Sequence, residues 1–549
     1  MPHPSASGNV TLVVRFERRA NEFCERAALK RRRVIRKRPV ELLLESVLSI
    51  AVRLPFDITT PDPIKLSRPA IWAAAAAIIL AGVIRYAEQP SFWLDEAFVA
   101  VSLRSPTLHT IFAQLEYGQF FPRIYLAAIA ALREIFGYTI WALRLLPFLS
   151  FILATLLWAR LLARRSQIFA ALNLIAAALL IGAGFWLDQA IQLKQYTFDV
   201  LLALIPFLIS DDRLTRTLSS GARRWLLIIF ALPCLLSYTY PMALGARLLG
   251  WYLYRGWRAG WRIDILSALT FASAVTLALV CMWATDLRFN FKDLASYQAY
   301  WSDCVLSSAF DSSAASGLRL IAKFLWGWHG RQPLVTAGLV PLQIVGVCRV
   351  VSRLKNREES RDDSSWGSRS VGSLVLLAGV IAASALLSYP ICAGRVVLFT
   401  QVHTQILALE GALLILTSRR NQKAALVILY SFAAVLAFHS VREYVRFIRS
   451  EPAENLRPLR AMIDPDIANI AWVHSCSVAQ VRSLPDGLPV ERVLMGTGER
   501  PQQGEKIWVI WTHLGNKDCR EELNQMRQRA RSWQLIHEGA DRGLALAEF

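Results

Sequence analysis

The stretch IWAAAAAIILAGVIRYAEQPSFWLDEAF, residues 71–98, decides how the whole chain is read. From Ile71 to Ile84 no residue carries a charge. In hydrocarbon every backbone amide must be paired within the chain, so a run of this kind crosses as an α-helix. The stretch ends on two adjacent carboxylates, Asp95 and Glu96. Carboxylates are costly to desolvate, so the pair marks the point where the chain emerges to face water, a cation or a metal.

Similar apolar runs recur through most of the 549 residues, and 54% of the chain is hydrophobic. The expected spans lie near 69–86, 139–161, 169–187, 198–210, 225–238, 241–254, 264–284, 333–350, 371–388, 396–417 and 424–441. Residues 238–243 then form a tight turn at a membrane face. The predicted fold is an α-helical polytopic membrane protein of about eleven transmembrane helices with a small C-terminal α/β extracytoplasmic domain. Residues 1–68 make a basic arm, 69–450 the membrane domain and 451–549 the α/β domain.

The net charge of +20 first suggests nucleic acid. Its placement argues against that partner. KRRRVIRKR (Lys30–Arg38) precedes the first span, and the other basic groups lie in alternate short gaps, such as Arg160/Arg164/Arg165 and Arg419/Arg420/Lys423. This is the positive-inside pattern. It puts the N-terminus in the cytoplasm, the C-terminal domain outside, and the protein in the plasma (inner) membrane. The first apolar run is read as a retained anchor, and Val40–Pro55 as a helix lying on the membrane surface. The segment Phe121–Phe136, interrupted by Arg123, Arg133 and Glu134, is read as an interfacial helix.

In the tail, Ile470–Val473, Ile507–Trp511 and Trp533–His537 read as strands, and Leu456–Ile463 and Asp518–Trp533 as helices. Cys476 and Cys519 share that segment. They form a disulfide in an oxidising compartment or stay as two thiols, and both readings stand.

Three clusters carry candidate chemistry. Asp95 and Glu96 suit a general base toward a hydroxyl or amine, against the plainer reading of solvated loop acids. Asp188, Gln192, Gln195 and Asp199 share one helical stripe bordered by Tyr196, and such a stripe faces a cavity or partner helices rather than lipid. Lys194 and Arg395, the latter following Tyr389-Pro390, suit a phosphate, against the plainer reading of interfacial anchors. Arg123 is a further cation. His329 and His403 stand alone and read as structural.

These elements resemble membrane glycosyltransferases of the C-type superfamily. The nearest branch holds protein O-mannosyltransferases, the lipid A aminoarabinose transferase and Rgt-type lipopolysaccharide glycosyltransferases. The resemblance rests on WLDEAF (Trp93–Phe98), FPRIYL (Phe121–Leu126), FGYTIWALRLLPFL (Phe136–Leu149), LKQYTFD (Leu193–Asp199) and YPICAGRVVLF (Tyr389–Phe399), in that order. It implies a polyprenyl-phosphate sugar donor and an acceptor at the outer membrane face. Asp95 then matches the general base and Asp199 a second acid. Lys194, Arg395 and Arg123 are assigned to the donor phosphate, and Gln192, Tyr196 and Tyr389 to substrate. The expected partners are that lipid-linked sugar and membrane lipids, with inversion at the anomeric carbon. A divalent metal and the oligomeric state stay open. The alternative is a transporter or lipid flippase, which needs polar groups near the midplane of its spans. A non-catalytic scaffold is a third reading.

Overall fold

The computed structural model describes residues 63–549 except 167–169, 183–184, 220–223, 257–264, 289–298, 327–332, 357–363, 392–395, 419–421, 451, 453, 497–500, 514–516 and 540. The expected surface helix at Val40–Pro55, His329 and Arg395 lie outside the described residues. The chain divides into two units, residues 63–444 with 451–549 and residues 1–62 with 445–450. The first unit holds the spanning helices and the C-terminal domain.

Helix α1 spans Pro63–Glu88. It starts earlier than the expected boundary at 69, on a proline whose missing N–H is no loss at a helix start. A first loop carries α2 (Leu94–Ser102), α3 (Leu108–Phe112) and α4 (Arg123–Phe136). Then follow α5 (Ile140–Ser166), α6 (Ala170–Ile181), α7 (Phe185–Ala190), α8 (Tyr196–Leu208), α9 (Asp211–Ser219), α10 (Arg224–Ala231), α11 (Tyr240–Trp251) and α12 (Ile265–Met282). A second loop holds α13 (Leu306–Ser312) and α14 (Ala314–Trp326), before α15 (Pro333–Asn356), α16 (Ser364–Leu387), α17 (Gln401–Thr417) and α18 (Gln422–Arg449).

Seven of these helices are long and apolar enough to cross a membrane, and two shorter apolar ones cover Ala171–Ile181 and Tyr196–Leu208. The protein is therefore a helical membrane protein. At the spans expected near 225–238 and 241–254 the helices are short. Pro233 turns the end of α10 into a 3-10 segment, Leu232–Leu235, and α11 runs on as a π-helix, Tyr252–Gly256. The turn between them is held by Ser237 Oγ, which accepts from the amides of Thr239 and Tyr240 at 3.2 Å each.

Helix α17 is the centre of the bundle, buried from Gln401 through Leu413. It crosses α15 at a glycine pair. A Cβ on Gly346 would stand 1.9 Å from Leu407 O, and one on Gly411 would stand 1.9 Å from Leu342 O. Small residues let helices approach closely where no hydrophobic force separates protein from lipid. His403 lies inside this core, with Nδ1 3.0 Å from Ser373 Oγ and its ring 4.3 Å from Phe207.

The tail folds around a five-stranded sheet in the order β2-β1-β3-β5-β4. The strands are β1 (Ile470–Val473), β2 (Arg492–Met495), β3 (Lys506–Thr512), β4 (Ser532–Glu538) and β5 (Arg542–Glu548). β1 pairs parallel with β2 and β3, and β5 pairs antiparallel with β3 and β4. Short helices α19 (Arg457–Arg460) and α20 (Val478–Arg482) cover one face, and α21 (Lys517–Arg529) the other. The helix expected at Leu456–Ile463 is thus shorter, and β2 and β5 go beyond the strands that the pattern predicts. β5 (RGLALAE) is poor in β-branched residues, so propensity hides it. Its Gly543 is required because a Cβ there would meet the Trp511 ring at 2.0 Å.

Cys476 and Cys519 form a disulfide, Cα–Cα 6.2 Å. Beside it His474 is fully buried. Its Nδ1 accepts from Cys476 N at 3.1 Å, and Nε2 donates to Cys519 O at 2.6 Å. That pattern fits the neutral ring. Burial holds His474 below its ordinary value of 6.5, against the pull of Glu522 at 3.3 Å. Below pH 6.5 the unfolded chain therefore binds a proton that the folded domain refuses, so stability falls as pH drops. Thermal melts of the purified protein should be flat from pH 8 to about 7 and shift downward toward pH 5.5. His474→Gln should flatten that slope, and an unchanged slope in the variant would assign the effect elsewhere.

Candidate functional site

The site is built from the first loop, and Glu96 organises it. Glu96 is 1% exposed. Arg144, from α5, donates Nε to Oε1 at 2.9 Å and Nη2 to Oε2 at 2.6 Å. The same guanidinium donates to Pro90 O at 2.6 Å and Ser91 O at 3.3 Å. Glu96 also accepts from Leu193 N at 2.5 Å and from its own helix start, Trp93 N, at 3.3 Å. One buried ion pair thus pins WLDEAF to both α5 and LKQYTFD, elements a hundred residues apart in places. A forked guanidinium–carboxylate pair fixes orientation as well as distance.

Both oxygens of Glu96, which the sequence assigns to the chemistry beside Asp95, are engaged by these partners. Asp95, in the first turn of α2, is half-buried. A carboxylate there is favoured by the positive end of the helix. Lys194 follows the clamped Leu193, is 4% exposed, and donates Nζ to Gln119 Oε1 at 2.6 Å. Residues 93–98, 119 and 193–194 therefore meet at one end of the bundle.

The helical stripe expected over Asp188, Gln192, Gln195 and Asp199 is interrupted here, since α7 ends at Ala190 and α8 starts at Tyr196. The Oε1 atoms of Gln189, Gln192 and Gln195 are buried and accept no hydrogen bond from the described residues. Buried acceptors without donors are rare and ask for a water or ligand. Asp199 lies at the start of α8, 6% exposed, and accepts from Ser237 Oγ at 2.5 Å. Tyr125 packs its ring 4.7 Å from Phe198, and burial together with Asp199 pushes its phenol well above the usual range. It stays neutral.

Arg123 does not face an open site. It is 2% exposed and pairs with buried Asp286 at 2.8 Å, tying α4 to the π-helical end of α12, Trp283–Leu287. That corrects its assignment to a donor phosphate: a guanidinium already neutralised in the interior offers little to a second anion. Tyr389 is half-buried and donates its hydroxyl to Val396 O at 3.1 Å. Tyr196 is half-buried at the first turn of α8.

Two features had no sequence signal strong enough to read. The C-terminal domain docks on the first loop through Glu454, whose Oε2 accepts from Leu94 N at 3.0 Å and Gln480 Nε2 at 2.6 Å. Its Oε1 lies 2.8 Å from His513 Nδ1. Both Glu454 (φ 60°) and His513 (φ 63°) hold left-handed backbone without being glycine. Such strain costs about 1–3 kcal/mol each and persists where contacts over-determine it. The second feature is a cavity of about 460 Å³ in the second loop, lined by Ser302, Asp303, Ser312, Ser316, Arg319 and Lys323 among others. Its signal is the Ser-rich run 307–316, followed by two cations at helical spacing. A divalent metal would find one set of donors near the site, Glu454, His513 and Asp541, with ligand atoms within 4.8 Å of one another.

Glu96→Gln should leave Arg144 charged and unpaired in the interior. The expected loss is about 3–5 kcal/mol of stability, seen as a lowered melting temperature in detergent. The paired change Glu96→Met with Arg144→Met should lose less than either single change. Equal additive losses would mean the two side chains do not interact.

No protein-family model matches the sequence, and no curated protein matches it either. Among solved structures the chain is similar to ArnT from Cupriavidus metallidurans in the apo state, at 11% identity and TM-score 0.45. It is also similar to ArnT from Cupriavidus metallidurans bound to undecaprenyl phosphate, at 12% identity and TM-score 0.47. In each case the match covers 86% of this chain and 97% of the other.

Proposed function

We propose that this protein transfers a sugar from a polyprenyl-phosphate donor to an acceptor at the extracytoplasmic face of the plasma membrane. The observation that carries this reading is the clamp of Glu96 on Leu193, which sets Asp95 and Lys194 on neighbouring backbone at the same end of the bundle. The unsatisfied glutamine oxygens beside Lys194 support a polar ligand there.

In this mechanism Asp95 takes the proton of the acceptor hydroxyl or amine as its heteroatom attacks the anomeric carbon. The bond from that carbon to the phosphate oxygen breaks, and polyprenyl phosphate leaves with the electron pair. Lys194, with Arg395, balances the charge that grows on the phosphate. Little acid catalysis is needed, because a phosphate is already a good leaving group. Attack opposite the leaving group inverts the anomeric centre. Asp199, held by Ser237, is assigned with Gln192, Tyr196 and Tyr389 to the sugar. The hydroxyl-lined cavity of the second loop suits an acceptor bearing phosphate or sugar.

Orientation draws on disulfides as well as charge. Cys476–Cys519 in the tail and Cys304 in the second loop are disulfide-bonded, whereas Cys234, Cys281 and Cys348 are free thiols. Disulfides belong to an oxidising compartment, so the loop-bearing end faces outward. A transporter would draw support from Glu410, a fully buried carboxylate inside a span. Glu410, however, is engaged by Arg165, Arg349 and Arg353 at 2.8–3.3 Å.

With polyprenyl-phosphate sugars and membrane extracts as acceptor source, Asp95→Asn should lower turnover by about 10²–10⁴-fold without changing the melting temperature. Lys194→Gln should lower kcat as well. The product should have inverted anomeric configuration by NMR. Undiminished turnover in Asp95→Asn removes it as the base, and transport of intact donor without transfer would favour the alternative.

A further inference from the structure

At the opposite end of the bundle from the proposed site, the helix termini gather charge of one dominant sign. Glu410 is held by Arg165, Arg349 and Arg353, and Asp211 by Arg247 at 2.5 Å and Arg255 at 3.5 Å. Helix α16 passes between these groups. Ser368 donates to Asp211 at 2.7 Å and Ser370 to Glu410 at 3.2 Å. The residue between them is Arg369, 4% exposed.

Arg369 has no carboxylate partner among the described residues, and its Nε is buried without an acceptor. The charges acting on it are Arg247 and Arg164, which oppose it, and Asp211. Its guanidinium carbon lies 6.0 Å from the centroid of the Trp366 ring, which that of Arg165 approaches at 5.4 Å. Trp366 is itself 4% exposed, and its indole Nε1 is a second buried donor without an acceptor. Among the described residues these two donors are unmet, and Asp211 is the one carboxylate acting on Arg369 against two arginines. A buried guanidinium with an unmet donor is unfavourable, and a bound anion would relieve it.

We propose that Arg369 and Trp366, with Arg164, bind a phosphate group at the cytoplasmic face, distinct from the donor phosphate outside. Phosphate offers several acceptor oxygens and charge at once, and guanidinium groups match it in geometry. Two sources share this chemistry: the headgroup of an anionic phospholipid in the inner leaflet, and free phosphate. Basic pockets between spanning helices are suited to lipid headgroups.

The test uses the full-length protein, purified in mild detergent and stripped of lipid. Phosphatidylglycerol, phosphatidylcholine and inorganic phosphate are added separately, and melting temperature and bound lipid by native mass spectrometry are read. Phosphatidylglycerol should raise the melting temperature and remain bound, with phosphatidylcholine much weaker. Arg369→Gln should reduce retained lipid by about fivefold, and Arg369→Lys should keep part of it. A shift with inorganic phosphate alone, lost in Arg369→Gln, assigns the same site to a soluble phosphate. The proposal is overturned if no anion shifts the wild type, or if both Arg369 variants retain phosphatidylglycerol as the wild type does. Because the readouts do not involve sugar transfer, they stand or fall apart from the enzymatic reading.

Discussion

The Glu96–Arg144 pair is the constraint on which the functional end of the molecule depends. Two charges removed from water repay that cost only when the geometry is tight and every remaining lone pair is used. Here the guanidinium meets both carboxylate oxygens and two loop carbonyls, and the carboxylate takes two further backbone amides. The consequence is mechanical. The chain leaving the first span is fastened to the next helix and to the segment before α8, so Asp95 and Lys194 inherit fixed positions from neighbours that do no chemistry.

The C-terminal domain adds a second layer of support to the same loop. Its contacts reach Ser91 and Leu94 on either side of the Trp93 helix start: Leu456 N donates to Ser91 Oγ at 2.7 Å, and Glu454 accepts from Leu94 N. Tyr138 shares its hydroxyl between Ala100 O and Ser483 O, 3.1 Å each. Ala479 of α20 completes the apolar cluster formed by the first loop. The domain's two left-handed non-glycine residues, Glu454 and His513, are both part of that contact, which is where stored strain has a use.

The two ends of the bundle follow opposite electrostatic plans. At the loop end Glu96 pairs with Arg144 and Arg123 with Asp286, and Oε1 of Gln189, Gln192 and Gln195 is unmet among the described residues. At the basic end Glu410 and Asp211 are each shared by more than one arginine, and Nε of Arg369 is unmet among the described residues.

The chain's own pattern determined the class of fold. Uncharged runs such as Ile71–Ile84 permit only helices in hydrocarbon, and Ile470–Val473 and Ile507–Trp511 alternate or cluster as buried strands do, because these signals are local in origin. The acid pair at 95–96 was legible as polar groups at a helix end, but the continuous helical stripe expected from Asp188 to Asp199 is broken, because α7 ends at Ala190 and α8 starts at Tyr196. Which member of a pair acts and which supports was decided only by tertiary structure. Glu96 and Arg123 look like site residues in one dimension, yet their partners Arg144 and Asp286 lie far along the chain, and only packing brings them to 2.6 Å and 2.8 Å. The dock of Glu454 and the unmet Nε of Arg369 among the described residues depend on arrangement in space, and periodicity holds no record of either.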